Sequence, residues 1–381
     1  MSNPLSQLNE LGQSPWIDFI RRTFMTNGEL TKLIQAGEIR GATSNPSIFE
    51  KAIGGSSDYD DQLKDLVRQG ITDPKKIFDE LAIVDIQMAA DHLRPVYDAS
   101  GGKDGFISLE VSPGAANDTQ ATITEARYLW GRVNRPNLMI KVPATPEGVP
   151  AVETLLSEGL NINITLIFAL DVHQAVINAF LNGLEKRAAA GQPIDRIASV
   201  ASFFVSRVDT EADKRLMALA EVETNPARKE QILGLQGKAA IANAKLAYEL
   251  FQQSFGSERF AALHTKGAQV QRPLWASTST KNPAYRDVIY VEQLIGPDTV
   301  DTMPPATIDA FRDHGDAVVT ITQDIAGAHQ TFDDLKAVGV DMADVTHKLQ
   351  IDGVKLFADS YNDLMDKTAK KVSELQSQVT H

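Results

Sequence analysis

Residues 138–145 read Leu138-Met139-Ile140-Lys141-Val142-Pro143-Ala144-Thr145, a run that looks like a buried β-strand with a lysine in its middle. Taking an unpaired ammonium out of water is costly, so this lysine needs either a partner or a purpose. The run also bears on the fold. It is short, apolar on both faces apart from Lys141, and followed by a helical pattern over 146–158, as in a parallel sheet wrapped by helices.

Outward from that run, short apolar segments keep alternating with longer stretches of helical periodicity. Strands are predicted at 16–20, 40–44, 105–110, 138–142, 162–168, 197–204, 272–276 and 288–291. Helices are predicted at 118–134, 146–158, 171–190, 227–254 and 351–376. Another opens at Asp73 as N-cap with Pro74 at its first position, after which Ile77, Leu81, Val84 and Met88 share one face. This count favours one α/β domain over 1–381, a closed (β/α)8 TIM barrel with additional helices, the last packing across an end of the barrel. The competing arrangement is an open doubly wound sheet, but no Gly-rich dinucleotide fingerprint or P-loop follows any strand.

Hydrophobic residues make up 43% of the 381 and charged residues 23%, enough for a sizeable core. A net charge of −13 and a pI near 5.0 argue against a nucleic-acid or anionic-membrane surface, so an anionic ligand must meet a local basic pocket. There is no cysteine, which excludes disulfides, thiolate nucleophiles and cysteine metal sites. The histidines show no HExxH or clustered spacing, and neither a metal nor an organic cofactor is expected. The N-terminal stretch lacks a basic segment followed by an apolar one, and no apolar run approaches membrane-spanning length. The expected location is cytoplasmic, without membrane association.

Polar residues recur where the predicted strands end, the face of a barrel that carries active sites. Lys141 could be a lysine snorkelling to the rim. Burial, however, favours the neutral form of an amine, and a neutral amine attacks a carbonyl to form a Schiff base. Asp18, which interrupts an apolar strand, and Glu110, which ends one, read either as caps of the following turns or as acid/base groups for that chemistry. Asn45 precedes Pro46, so its amide projects beyond a strand or caps a helix starting at Pro46. Asn163 and Thr165 lie two apart on one face of a strand, with Ile162, Ile164 and Leu166 on the other. Ser202 and Arg207 close a strand and enter a helix start, which suits a phosphate, although Arg207 could instead pair with Asp209 or Asp213. Ser277, Ser279 and Lys281 follow the next strand with similar chemistry.

The segments TSNPSIF, SLEVSP, MIKVPAT, NITLIF, ASFFVSRVD and GKAAIANAKLAY, in this order, resemble the transaldolase family, particularly its longer bacterial forms. The resemblance runs from about residue 10 to 370 and implies a (β/α)8 barrel acting on phosphorylated sugars in the non-oxidative pentose phosphate pathway. By motif, Lys141 would be the Schiff-base nucleophile and Asp18 the base at the C4 hydroxyl. Glu110 and Thr165 would hold the water used in forming and breaking the Schiff base, bridging to Lys141. Asn45, Asn163, Ser202 and Phe204 would surround the sugar, and Arg207 with Ser277 would take the phosphate. Many shorter transaldolases read ASFRN where this chain reads ASTSTKN, so Lys281 is the positional substitute for a second phosphate arginine. A fructose 6-phosphate aldolase of the same superfamily is the nearest alternative. Those enzymes are shorter, with Gln at the Glu110 position and Tyr at the Phe204 position. A catalytically silent sugar-phosphate binding barrel is the alternative from another class. Monomer and homodimer both remain open.

Overall fold

In the computed structural model, which describes residues 3–379, eight parallel strands close into a barrel in chain order. They are β1 (Gln13–Ile17), β2 (Gly41–Ala42), β3 (Ile107–Glu110), β4 (Leu138–Pro143), β5 (Ile162–Ile167), β6 (Ser199–Phe204), β7 (Arg272–Ala276) and β8 (Thr299–Met303). β1 pairs with β2 on one side and with β8 on the other, which shuts the sheet. Closure explains why β4 and β5 are buried along their whole length: one face meets the barrel interior and the other meets the surrounding helices.

The interior is readable from side-chain alternation. Trp16, Met139, Val200, Leu274 and Val300, from five different strands, pack on one another and are fully buried. Two residues further along each strand direction, the inward positions are Asp18, Lys141, Ser202, Ala276 and Thr302. An apolar layer therefore supports a polar one at the C-terminal mouth. The wide Trp16 ring fits because β2 places Gly41 in register with it; a Cβ there would stand 2.4 Å from the indole. Gly41→Ala is expected to destabilise the fold by about 1–3 kcal/mol through overpacking. Urea unfolding measures this, and a change within error would mean that the indole simply moves aside.

Several sequence expectations need correction. The eighth strand is not at 288–291: that apolar run is a single helical turn, Ile289–Glu292, with Tyr290 and Val291 buried. The true β8 reads Thr-Val-Asp-Thr-Met, whose polar residues hid it from a hydrophobicity pattern. Its outward Asp301 is buried between β8 and the loop after β7, where it accepts a bond from Thr278 Oγ1 at 2.9 Å. β1 starts earlier than expected and ends before Asp18, although the Asp18 amide still donates to Met303 O at 2.8 Å. β2 shrinks to two residues. The helix expected over 227–254 is two helices, Pro226–Leu233 and Ala239–Phe255, broken where Gly237 adopts φ +71°.

The final helix, Met342–Val379, begins nine residues before the expected 351, and the Asp341 carboxylate accepts from Ala343 N at its start. It packs against the helices Pro46–Gly54 and Pro74–Ala99, with Phe357, Leu364 and Thr368 buried. Ser360 Oγ meets Ser47 Oγ at 2.8 Å, and Gln350 donates to Ala144 O at 2.6 Å. The helix thus lies over the mouth of the barrel. No described helix is long and apolar enough to cross a membrane.

Candidate active site

All but one of the expected site residues line a single cavity of about 830 Å³ at the C-terminal mouth: Asp18, Asn45, Glu110, Lys141, Thr165, Ser202, Phe204, Arg207, Ser277 and Lys281. β3 and β4 set Glu110 beside Lys141 in register, and Glu110 Oε2 stands 3.4 Å from Lys141 Nζ, both side chains buried. The lysine therefore meets the glutamate directly; the sequence reading had a water between them. Burial raises the Glu110 carboxyl to about 6 against the opposing pull of Lys141. This pair answers the cost of putting a lysine in a buried strand: the charge is compensated, and the proton has a nearby acceptor.

Asp18 hangs from a short polar chain. Thr43 Oγ1 donates to Asp18 Oδ1 at 2.6 Å and lies 2.8 Å from Thr302 Oγ1. Burial raises the Asp18 pKa, while Lys141, the Thr43 bond, Arg207 and Lys281 pull it down. Burial outweighs the opposing influences, and the net shift is upward. Thr43 and Thr302 were missed in the sequence. Thr43 could have been found, since it lies two residues before Asn45 and so on the same side; Thr302 could not, because β8 was misplaced.

Asn163 departs from expectation. Its Nδ2 donates to Ser108 Oγ at 2.9 Å and its Oδ1 accepts from Ser202 Oγ at 2.6 Å, so it lies beneath the cavity floor and outside its lining. There it ties β3, β5 and β6 together and aims the Ser202 hydroxyl. Asn45 satisfies both of its readings. Its Oδ1 accepts from Ile48 N at 3.0 Å as the N-cap of Pro46–Gly54, while the residue also lines the cavity, where its Nδ2 remains available to a ligand. Thr165 Oγ1 is buried and meets no partner among the described residues. Leu166 was expected on the outer face, but a bulge in β5 between Ile164 and Ile167 puts it at φ +60° and turns it into the cavity. Strain of this kind is held only where packing over-determines it, here by the close approach to Gly353 of the final helix.

The far wall is cationic. Arg207 is the second residue of the helix Ser206–Val222, whose N-terminus has no side-chain cap, and its guanidinium lies 5.2 Å from the Phe204 ring centroid. Neither Arg207 nor Lys281 is ion-paired to a carboxylate among the described residues, so the Asp209 and Asp213 alternative for Arg207 does not hold. Asp209 instead accepts from Ala240 N and Tyr290, and Asp213 from Gly237 N and Tyr285. Lys281 Nζ donates to Ser279 Oγ at 2.6 Å; its pKa is lowered by burial and by the nearby Arg207. Ser277, at φ +57°, is bonded to Ser206 through both backbone and hydroxyl. Two cations, a hydroxyl pair and an uncapped helix start converge on one spot, an arrangement suited to a phosphate group. The rim adds residues that sequence reasoning did not single out: Arg21 and Lys51 on one side, Leu356, Phe357 and Ser360 of the final helix on the other. Among the described residues, no group of three or more His, Cys, Asp or Glu side chains could hold a metal; His381 lies outside them.

Comparison with known proteins agrees with this geometry. The model of the Transaldolase/Fructose-6-phosphate aldolase family matches residues 15–368. A protein of Parafrankia sp. (strain EAN1pec) named transaldolase is 49% identical over 99% of this chain and 100% of its own length. Transaldolases of Frankia alni and Thermobifida fusca are 48% and 47% identical, covering 98% of this chain in both cases and 98% and 99% of their own lengths. With the match running through every strand of the barrel, the chain belongs to the transaldolase family.

Proposed function

We propose that the Lys141 amine attacks C2 of a ketose phosphate and that the chain then carries out the transaldolase reaction on a covalent Schiff base. One observation carries this assignment: a buried amine–carboxylate contact of 3.4 Å in a cavity that also holds two cations, Arg207 and Lys281, ion-paired to no carboxylate among the described residues. A phosphorylated sugar fits with its carbonyl at Lys141 and its phosphate at Arg207 and Lys281. Glu110 takes one ammonium proton, freeing the lone pair; as the nitrogen bonds C2 a second N–H proton passes to the oxygen, and Glu110 returns the first as that hydroxyl leaves as water and the iminium forms. The Thr165 hydroxyl, without a partner among the described residues, holds that water.

Asp18 then removes the proton of the C4 hydroxyl. The C3–C4 bond breaks, its electrons pass to the iminium nitrogen, and an aldose phosphate leaves. A dihydroxyacetone unit stays on Lys141 as an enamine. It attacks the aldehyde carbon of a second aldose phosphate, Asp18 returns the proton to the new C4 oxygen, and water releases the product. Asn45 and Ser202 bond the sugar hydroxyls, and Asn163 acts through Ser202. Sedoheptulose 7-phosphate and fructose 6-phosphate are the donors this assigns, with glyceraldehyde 3-phosphate and erythrose 4-phosphate as acceptors, in the pentose phosphate pathway. Phosphorylated sugars do not cross lipid unaided, which supports a cytoplasmic location.

Borohydride added with fructose 6-phosphate should leave a reduced three-carbon adduct on Lys141, located by peptide mass mapping. An adduct on another lysine would sink the assignment. Turnover should require erythrose 4-phosphate. Rapid dihydroxyacetone release without it would identify an aldolase instead.

The pH dependence has a defined sign. Glu110 must be ionised to take the lysine proton, and burial has raised it to about 6, so kcat/KM for the donor should fall as pH drops through about 6. Glu110→Gln should remove that ionisation from the profile and lower the rate. A limb unchanged in the variant would assign it to another group.

A further inference from the structure

The strand starts build a second polar centre, at the end of the barrel opposite Lys141. Asp104, almost fully buried, accepts from Trp16 Nε1 at 3.0 Å, from Arg40 Nε at 2.9 Å and from the Ser14 hydroxyl. Arg272 Nη2 stands 3.5 Å from the same carboxylate, and its Nη1 donates to Ser14 Oγ at 3.0 Å. Two guanidiniums thus share a single carboxylate. Gly101 and Gly102, at φ +66° and +82°, make the turn that returns Lys103 and Asp104 to this end.

A tight plug would close the barrel here, yet a cavity of about 400 Å³ opens beside it, lined among others by Asn9, Gln13, Arg40, Lys103, Asp104 and Arg272. That volume is within the range of small-molecule sites, roughly 300–1,000 Å³. Its charged lining is Arg40, Lys103 and Arg272 against Asp104 and Asp298, an excess of positive charge on a chain of net charge −13. Two cationic groups are left over. Arg40 bonds through Nε, and its terminal nitrogens have no partner among the described residues; Lys103 has no carboxylate partner among them either.

Spare cationic donors at the wall of a cavity complement a small anion. We propose that this cavity is a second binding site, remote from the Lys141 cavity, for a small phosphate ester. The guanidinium of Arg40 and the ammonium of Lys103 take the phosphate oxygens. Asp104 holds Arg40 in place. The proposal does not depend on the reaction assigned to Lys141, because no group of that cavity takes part.

The test uses the full-length protein carrying Arg207→Ala and Lys281→Ala, which removes the phosphate-binding cations of the first cavity. Glycerol 3-phosphate and, separately, inorganic phosphate are titrated by calorimetry. Glycerol 3-phosphate should bind saturably at one site, and inorganic phosphate should compete for that site. Adding Arg40→Gln and Lys103→Gln should weaken it by on the order of tenfold or more, each lost charge-assisted bond contributing. Lys103 is exposed, so Lys103→Gln alone keeps the test valid if the Arg40 change loosens the barrel; a weakening of about threefold is expected from it. Absence of saturable binding in the starting variant would overturn the proposal, as would binding untouched by either substitution.

Discussion

Lys141→Arg is expected to abolish turnover, with kcat/KM down by roughly 10⁴-fold or more, as when a covalent nucleophile is removed. The substitution keeps a positive charge opposite Glu110, which now stands 3.4 Å from the amine, so the buried carboxylate keeps its counter-ion and the fold should persist. What is lost is the lone pair. A guanidinium stays protonated at any working pH and cannot add to a carbonyl. Borohydride with fructose 6-phosphate should then label nothing, while the melting temperature stays near wild type. Turnover close to wild type would remove Lys141 from the chemistry. Loss of activity together with collapse of the fold would show only that the pair is structural, and for that reason the two readouts are taken on the same preparation.

Asp18→Asn separates the steps that Lys141→Arg stops together. Thr43 Oγ1 donates to Asp18 Oδ1 at 2.6 Å, and an asparagine oxygen can accept the same bond, so the side chain should stay in place. It can no longer accept a proton. Cleavage should slow by about 10²–10⁴-fold, the usual contribution of a general base. Schiff-base formation needs Glu110 instead, and should continue. Borohydride should therefore trap the whole six-carbon ketose on Lys141 instead of the three-carbon fragment. A three-carbon adduct formed at the wild-type rate would contradict the role of Asp18.

The sequence carried the barrel unevenly. Seven strands were legible because apolar residues dominate their runs, as in the Ile162–Ile167 and Ser199–Phe204 segments, which each carry two polar residues among six. The eighth was not, because β8 puts Thr299, Asp301 and Thr302 into a run of five; their partners, Gln13, Thr278 and Thr43, come from distant parts of the chain. Hydropathy cannot see a polar residue that is satisfied by tertiary contact. The candidate site was more legible than the fold boundaries, since strand-end polar residues stand out against an apolar background. What escaped was orientation. Nothing in NINITLIF announces that a bulge will turn Leu166 inward, or that Asn163 will spend its amide on Ser108 and Ser202 beneath the floor.

The final helix has a consequence for how the molecule is made. The barrel is complete in chain order at Met303, with Lys141, Glu110 and Asp18 already in register, yet Gly353, Leu356, Phe357 and Ser360 join the cavity wall only with the helix Met342–Val379. During synthesis the reactive amine is therefore assembled before its cover. If Lys141 is the nucleophile proposed above, a nascent chain that stops short of residue 353 presents it to whatever aldehyde or ketone the surroundings offer. Translation order thus exposes the nucleophile first and shelters it last, which makes prompt docking of this helix a safeguard against premature carbonyl adducts.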